Sequence, residues 1–192
     1  MCGPPASIGM LLMALAIAGQ TVIPLTGPQD EHTALKTALE SAGRRVVIAT
    51  ESGRPSGLLE LISGHGLAVG IDAKATDIAL IREQFEQRKL SYCFFFDTPC
   101  YRKESSAARR AAGVSSTNGA DLSLRDEFNQ HPRKELFISN LRRDADGWYG
   151  SISIVLDPGL PDARVILSNR IDLGFRYERD SWKLADVNFN AM

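Results

Sequence analysis

Three stretches near the C-terminus carry the clearest fold signal: residues 148–156 read WYGSISIVL, residues 165–177 read VILSNRIDLGFRY, and residues 181–189 read SWKLADVNF. In the second of these stretches apolar and polar residues alternate with the two-residue period of a half-buried strand. Turn-forming residues, DPGLPD at 157–162 and RDS at 179–181, separate the stretches. The sequence therefore predicts a C-terminal β-meander, whose long middle strand has one apolar face made of Val165, Leu167, Ile171, Leu173, Phe175 and Tyr177.

Helical patterns dominate the first two thirds of the chain. Apolar residues recur at helical spacing in residues 29–42, 76–89 and 121–130, and Gly43 is a typical helix stop. Helices that precede consecutive strands are typical of an α+β fold. We expect N-terminal helices packed on a curved antiparallel sheet.

Three shorter stretches before the meander favour strands, and one favours a loop. Residues 46–50 (VVIAT) and 67–71 (LAVGI) are short and apolar, and residues 91–96 (SYCFFF) are typical of a buried strand. Residues 105–120 are small and polar, which predicts a mobile loop, with an alanine-rich helix at 107–112 as the alternative.

Composition and charge bound the class of protein. The chain has 192 residues, of which 44% are hydrophobic and 23% charged, so it suits one globular domain, here residues 29–192. The formal net charge of -1 provides no overall field for binding nucleic acid. No pattern for a phosphate-binding loop, dinucleotide, metal or other cofactor occurs.

An uncharged apolar stretch, IGMLLMALAIA, runs from Ile8 to Ala18. Its length and its small residues at 16 and 18 resemble a secretory signal peptide cleaved after residue 18. The N-terminal residues before it carry no Lys or Arg, so an uncleaved membrane anchor reaching about residue 23 and a buried helix remain alternatives. Export to the periplasm or the medium is the location that this stretch indicates.

Cysteine usage agrees with export. Removal of the leader would take away Cys2 and leave Cys93 and Cys100, an even number that suggests one disulfide in an oxidising compartment. The intervening Asp97-Thr98-Pro99 favours a turn that brings the two sulfurs together. Two buried free thiols are the alternative, and a metal site is not expected at this spacing.

A few residues could carry chemistry. Asn169 lies on the apolar face of the predicted long strand, where it could line a pocket together with Tyr149 or Tyr177. His65, flanked by glycines, and Asp97, beside a proline, are weak candidates for a catalytic base. The alternatives are a core amide for Asn169 and ordinary loop residues for His65 and Asp97.

The last strand, DSWKLADV at 180–187, is similar to the ending of the nuclear-transport-factor-two-like superfamily, a cystatin-like cone fold. The resemblance covers residues 148–189 and implies a curved sheet covered by helices. That superfamily includes enzymes, binding proteins and secretion-system components, so the resemblance leaves function open.

Three functions are compatible with these patterns. The first is an exported α+β domain that binds a small ligand or a protein partner through its sheet face, with a homodimer through the sheet as one form. The second is a cone-fold enzyme performing proton transfer or hydration in an apolar cavity. The third is an anchored periplasmic component of an envelope assembly, which would contact a membrane only through an uncleaved N-terminal segment.

Overall fold

The structure, a computed structural model, describes residues 28–70, 73–111, 122–158 and 169–189. The predicted signal segment lies outside these residues, so its cleavage stays a prediction. Within the described residues the helices are α1 (Pro28–Glu51), α2 (Pro55–Leu59), α3 (Ile78–Glu86), α4 (Ser91–Phe96), α5 (Thr98–Ala111) and α6 (Leu124–Gln130). The strands are β1 (Ala68–Val69), β2 (Lys134–Asp144), β3 (Gly147–Leu156), β4 (Arg170–Glu178) and β5 (Ser181–Phe189).

One five-stranded sheet organises the chain, in the order β1-β5-β4-β3-β2. Strands β2 to β5 form an antiparallel meander, and the short β1 pairs with β5 in parallel. The pairing register shifts between Ile138 and Asn140 on β2 and between Gly174 and Phe175 on β4. Such bulges bend and twist a sheet. The predicted α+β fold with a C-terminal meander is confirmed.

The inner face of the sheet is the apolar face that the sequence predicts. Ile171, Leu173 and Phe175 are at most 2% exposed, and they lie beside Ile152 and Ile154 of β3, which are fully buried. Strand β4 begins at Arg170. Val165 and Leu167 of the predicted strand lie outside the described residues. Helix α1 covers this face and contacts β2, β3 and β5.

Glycines let α1 approach the sheet closely. A Cβ added at Gly43 would lie 2.4 Å from Cδ1 of Ile152, and one added at Gly150 on β3 would lie 2.4 Å from Cδ2 of Leu39. Glycine at both positions therefore lets a bulky side chain of the opposite element fill the gap. The prediction that Gly43 ends the helix was wrong, because this glycine serves packing in the middle of α1.

Residues 46–50 are helical, not a strand as predicted. Val46, Val47 and Ala49 are buried on α1. The tertiary contacts of the helix override the β propensity of the valines. The indole of Trp182 fixes the other half of α1, since its Nε1 donates to the carbonyl oxygen of Leu35 at 3.0 Å.

Residues 91–96 also form a helix, α4, where the sequence predicted a buried strand. Phe94, Phe95 and Phe96 are all buried and pack edge to face or tilted with neighbouring rings. A short run that is apolar on every side has no period that separates strand from helix. The predicted partners Cys93 and Cys100 are joined by a disulfide across the corner between α4 and α5, with Cα atoms 5.3 Å apart.

Two further elements differ from the sequence prediction. Helix α5 continues through residues 105–111, as in the helical alternative, while residues 112–121 lie outside the described part. Strand β2 was not predicted. No helix in the described ranges is long and apolar enough to cross a membrane.

We predict that Gly43→Ala destabilises the protein although alanine favours helices. The gain in helix propensity is at most about 1 kcal/mol, whereas crowding against Ile152 should cost about 1–3 kcal/mol. Denaturant unfolding gives the difference. Ser41→Ala, on the exposed side of α1, is the control and should be neutral or slightly stabilising. Equal stabilisation by both variants would contradict the close contact.

Candidate functional site

A groove of about 390 Å³ lies where the N-terminal half of α1 crosses the end of the sheet. We call it the acidic–aromatic groove because two aromatic rings and two carboxylates line it. Helix α1 provides one wall, and β3, β4 and the turn after β4 provide the other. Its lining residues are Glu31, Ala34, Leu35, Ala38, Trp148, Tyr177 and Asp180.

The two aromatic residues of the groove, Tyr177 and Trp148, contact other rings and a cation. The ring of Tyr177 meets that of Trp182 edge to face, with centroids 5.2 Å apart, and Trp182 is itself bonded to α1. The ring of Trp148 lies 6.2 Å from that of His32, and the guanidinium carbon of Arg143 lies 5.8 Å from its centre. Both groove aromatics are half-buried, so each keeps accessible surface.

The two carboxylates come from opposite ends of the sequence. Glu31 is in the first turn of α1, where the helix dipole favours an acid. Asp180 follows Arg179 in the two-residue turn between β4 and β5, and both have positive φ, 47° and 60°, as in hairpins with a type I′ turn. In the described part of the chain, no hydrogen bond or ion pair joins the side chain of Glu31 or Asp180 to another residue. None of the described residues that line the groove is a cation.

The structure separates the tyrosines suggested as ligand-binding residues. Tyr177 lines the groove on the inner face of the sheet, whereas Tyr149 points from the outer face. There Tyr149 accepts a hydrogen bond from Arg176, whose guanidinium carbon lies 4.8 Å from the ring centre. The guanidinium carbon of Arg142 lies 5.6 Å from the same ring. Tyr149 is therefore part of a basic row that runs across β2, β3 and β4.

The remaining candidates lie apart from the groove. His65 is exposed in the loop between α2 and β1, a loop fixed by Glu178, which accepts hydrogen bonds from Ser63 and the backbone of Gly64. The carboxylate of Asp97 accepts from the backbone N–H of Cys100 at 2.9 Å, which is a capping role. Asn169 lies just before β4, and its backbone carbonyl accepts from the N–H of Leu156. None of these three side chains lines the acidic–aromatic groove.

The outer face of the sheet also carries an acidic pair. Asp172 accepts from Ser153 at 2.5 Å and from Arg170 at 2.8 Å. Asp186 accepts from the side-chain amide of Asn188 at 3.0 Å. Burial, with a smaller contribution from the charge of Asp172, raises the pKa of Asp186 above its usual value.

One set of possible metal ligands occurs among the described residues. The sulfurs of Cys93 and Cys100 and the carboxylate of Glu104 lie within 4.8 Å of one another. While the sulfurs form a disulfide they are not thiolates, so they do not act as metal ligands.

Sequence reasoning missed a histidine held between two acids. Nδ1 of His131 lies 2.6 Å from Oδ2 of Asp157, and its Nε2 lies 3.6 Å from Oε1 of Glu127. This cluster joins the end of α6 to the end of β3. The spacing of Glu127 and His131 by one helical turn was the available signal, whereas the contact with Asp157 depends on the fold.

Comparisons with known proteins find solved structures that are similar to this chain at low sequence identity. No protein-family model matches the chain, and neither does any curated protein. A solved protein of unknown function from Mycobacterium tuberculosis is 15% identical over 85% of this chain and 75% of that chain, with a TM-score of 0.40. An NTF2-like protein of unknown function from Pseudomonas putida is 12% identical over 82% and 86%, with a TM-score of 0.36. A Nostoc punctiforme protein with a cystatin-like fold is 11% identical over 85% and 91%, with a TM-score of 0.33.

We predict that Asp186→Asn stabilises the protein at neutral pH. Because the folded-state pKa is raised, the native protein is favoured while Asp186 is protonated, and that advantage is lost as the pH rises through the folded-state pKa. Asparagine can still accept from Asn188 and carries no charge. Unfolding free energies should differ between variant and wild type at pH 7 and converge towards pH 3. The exposed Asp144→Asn is the control, and a loss of stability at pH 7 in Asp186→Asn alone would contradict the prediction.

Proposed function

We propose that this chain is an exported α+β binding domain and that the acidic–aromatic groove binds an organic cation. The observation that supports it most is the meeting of Trp148 and Tyr177 with the carboxylates of Glu31 and Asp180 in one groove, whose described lining residues include no cation. Aromatic faces attract cations through their quadrupoles. Carboxylates add charge attraction that a neutral ligand would not gain.

A quaternary ammonium or a guanidinium group fits this chemistry best. Such cations hold their charge on a weakly hydrated surface, so they lose little hydration when they contact aromatic rings. The position of Arg143 over the ring of Trp148 is an internal example of the same contact. The groove volume of about 390 Å³ lies within the usual range of small-molecule sites.

The proposed export has two supports of different kinds. The apolar segment at residues 8–18 has the length and small residues of a signal peptide. The disulfide between Cys93 and Cys100 is the kind of bond that persists in oxidising compartments. The alternative for residues 1–27 is that the apolar segment is not cleaved and anchors an envelope component in the membrane.

The enzyme alternative has less support from the geometry. A base must be within hydrogen-bond reach of a bound substrate. His65 is in an exposed loop, and the carboxylate of Asp97 is used by the backbone of Cys100. Asn169, the suggested hydrogen-bond donor, is on neither wall of the acidic–aromatic groove.

We predict that choline binds the groove and that 3,3-dimethylbutan-1-ol, its uncharged isostere, binds much more weakly. Titration followed by tryptophan fluorescence detects binding, since Trp148 lines the groove. Asp180→Asn should weaken choline binding by roughly three- to tenfold, the loss of one partly solvated charge contact. Asparagine tolerates the positive φ at position 180.

The control for this titration is Glu40→Gln, an exposed acid of α1 outside the groove lining, which should leave choline binding unchanged. Equal binding of the alcohol would contradict recognition of charge. Absence of a saturable response at about 10 mM choline would contradict a specific site.

A second candidate function, association of two copies through the outer sheet face, rests on how charge is distributed along β4. The outward residues Asp172, Gly174 and Arg176 follow one another at every second position. A two-fold axis at Gly174 would bring the acid of each copy to the arginine of the other. Arg176 forms no ion pair with any described residue.

We predict that the full chain is a dimer in sedimentation experiments and that Arg176→Asp and Asp172→Arg are each monomeric, because each places like charges in contact. Mixing the two variants should restore a one-to-one dimer, since opposite charges then meet again at both contacts. Circular dichroism verifies that each variant is folded. A monomeric wild type, or a dimer that neither variant changes, would contradict this arrangement.

A further inference from the structure

Strand β2 is a long edge of the sheet. It pairs with β3 on one side and is last in the strand order. Among the residues that the structure describes, none bonds its backbone to the outer side of β2 between residues 134 and 144. An edge strand with unpaired N–H and C=O groups is a template for another strand.

Apolar side chains flank this edge on both faces of the sheet. On the inner side a groove of about 280 Å³ separates α1 from β2, and Ile48 of α1, which lines it, is 60% exposed. On the outer side Phe137 of β2 is 44% exposed. The other lining residues of this edge groove are Arg44, Val47, Glu51, Pro132, Lys134 and Leu136.

The two halves of β2 differ in the features that prevent an edge strand from pairing with another strand. Its second half has the irregularity at residue 139 and then Arg142, Arg143 and Asp144, features that natural sheets use to prevent pairing. Its first half, residues 134–138, contains the apolar run Leu-Phe-Ile and has a regular register with β3. The first half is therefore open to pairing over five residues.

The charged residues of the edge groove indicate which side chains an added peptide strand would carry. The ammonium of Lys134 lies 2.7 Å from a carboxylate oxygen of Glu51 and donates to the carbonyls of Phe128 and His131, so its charge is already satisfied. Arg44 is exposed in the same groove and has no hydrogen bond or ion pair within the described residues. A carboxylate on an incoming peptide would complement it.

We infer that the first half of β2 binds an extended peptide of another protein as a sixth strand, by backbone pairing with residues 134–138. Alternate side chains of the peptide face the edge groove, where apolar ones pack beside Ile48 and an Asp or Glu at another of these inward-facing positions pairs with Arg44. Backbone bonds supply affinity in this mode, and the side-chain pockets supply specificity. This site is separate from the acidic–aromatic groove and from the outer sheet face, and it does not depend on either.

The test selects a random heptapeptide phage library on the immobilised full chain and measures the affinity of the enriched peptides by fluorescence polarisation. We expect peptides with alternating apolar residues and at least one Asp or Glu. Ile48→Asp should weaken their binding by roughly tenfold or more, and Arg44→Gln by roughly three- to tenfold. Leu80→Asp and Arg45→Gln, comparably exposed residues outside the groove, are the matched controls and should have no effect.

A second readout detects the backbone bonds themselves. N-methylation of peptide amides at alternate positions should abolish binding in one set and leave it largely intact in the other, because only every second amide of an added strand faces the edge. Lack of enrichment, equal loss in the control variants, or insensitivity to methylation in both sets would overturn the inference. Enriched peptides that copy residues 134–138 would identify a second copy of this chain as the occupant and would overturn the assignment to another protein.

Discussion

The close contact between α1 and the inner face of the sheet holds the helical and sheet layers together. Gly43 and Gly150 each leave room for a bulky side chain of the opposite element, and the bond from Trp182 to the carbonyl of Leu35 fixes the N-terminal half of the helix. Burial of apolar surface at roughly 25 cal/mol per Å² is the main source of stability for such a layer. Phe95, Phe128 and Phe175 are fully buried in this layer, whereas the acidic–aromatic groove, the outer sheet face and the β2 edge keep accessible surface.

These surfaces differ in chemistry, and the differences follow from how each is built. At the acidic–aromatic groove, α1 and the β4–β5 turn bring carboxylates close to aromatic rings. On the outer face, the alternation of β4 places the acidic Asp172 and the basic Arg170 and Arg176 along one strand. At the edge, an unpaired backbone lies between exposed apolar side chains. The proposed binding domain would use more than one of these surfaces. Proton transfer in an interior cavity would instead need Asp97, His65 or Asn169 to converge, and none of the three lines the acidic–aromatic groove.

The sequence predicted what local periodicity controls. Alternation over β3, β4 and β5 identified the meander and its buried face, and the cysteine count with a turn between identified the disulfide. It failed where tertiary contacts decide: the valines of residues 46–50 are helical because α1 packs on the sheet, and the irregularity at residue 139 interrupts the period of β2. The acidic–aromatic groove could not be predicted, because Glu31 and Asp180 meet only after the helix is placed across the last hairpin. Tyr177 alone of the proposed site residues lies there.

Native-state hydrogen exchange at the backbone amides of residues 43–50 measures how firmly α1 is held on the sheet. If α1 is locked onto the sheet, these amides should exchange only through global unfolding, with the same opening free energy as the amides of β3 and β4. Exchange of the α1 amides at a clearly lower free energy, while those of β3 and β4 stay protected, would show that the helix detaches independently and would contradict this account.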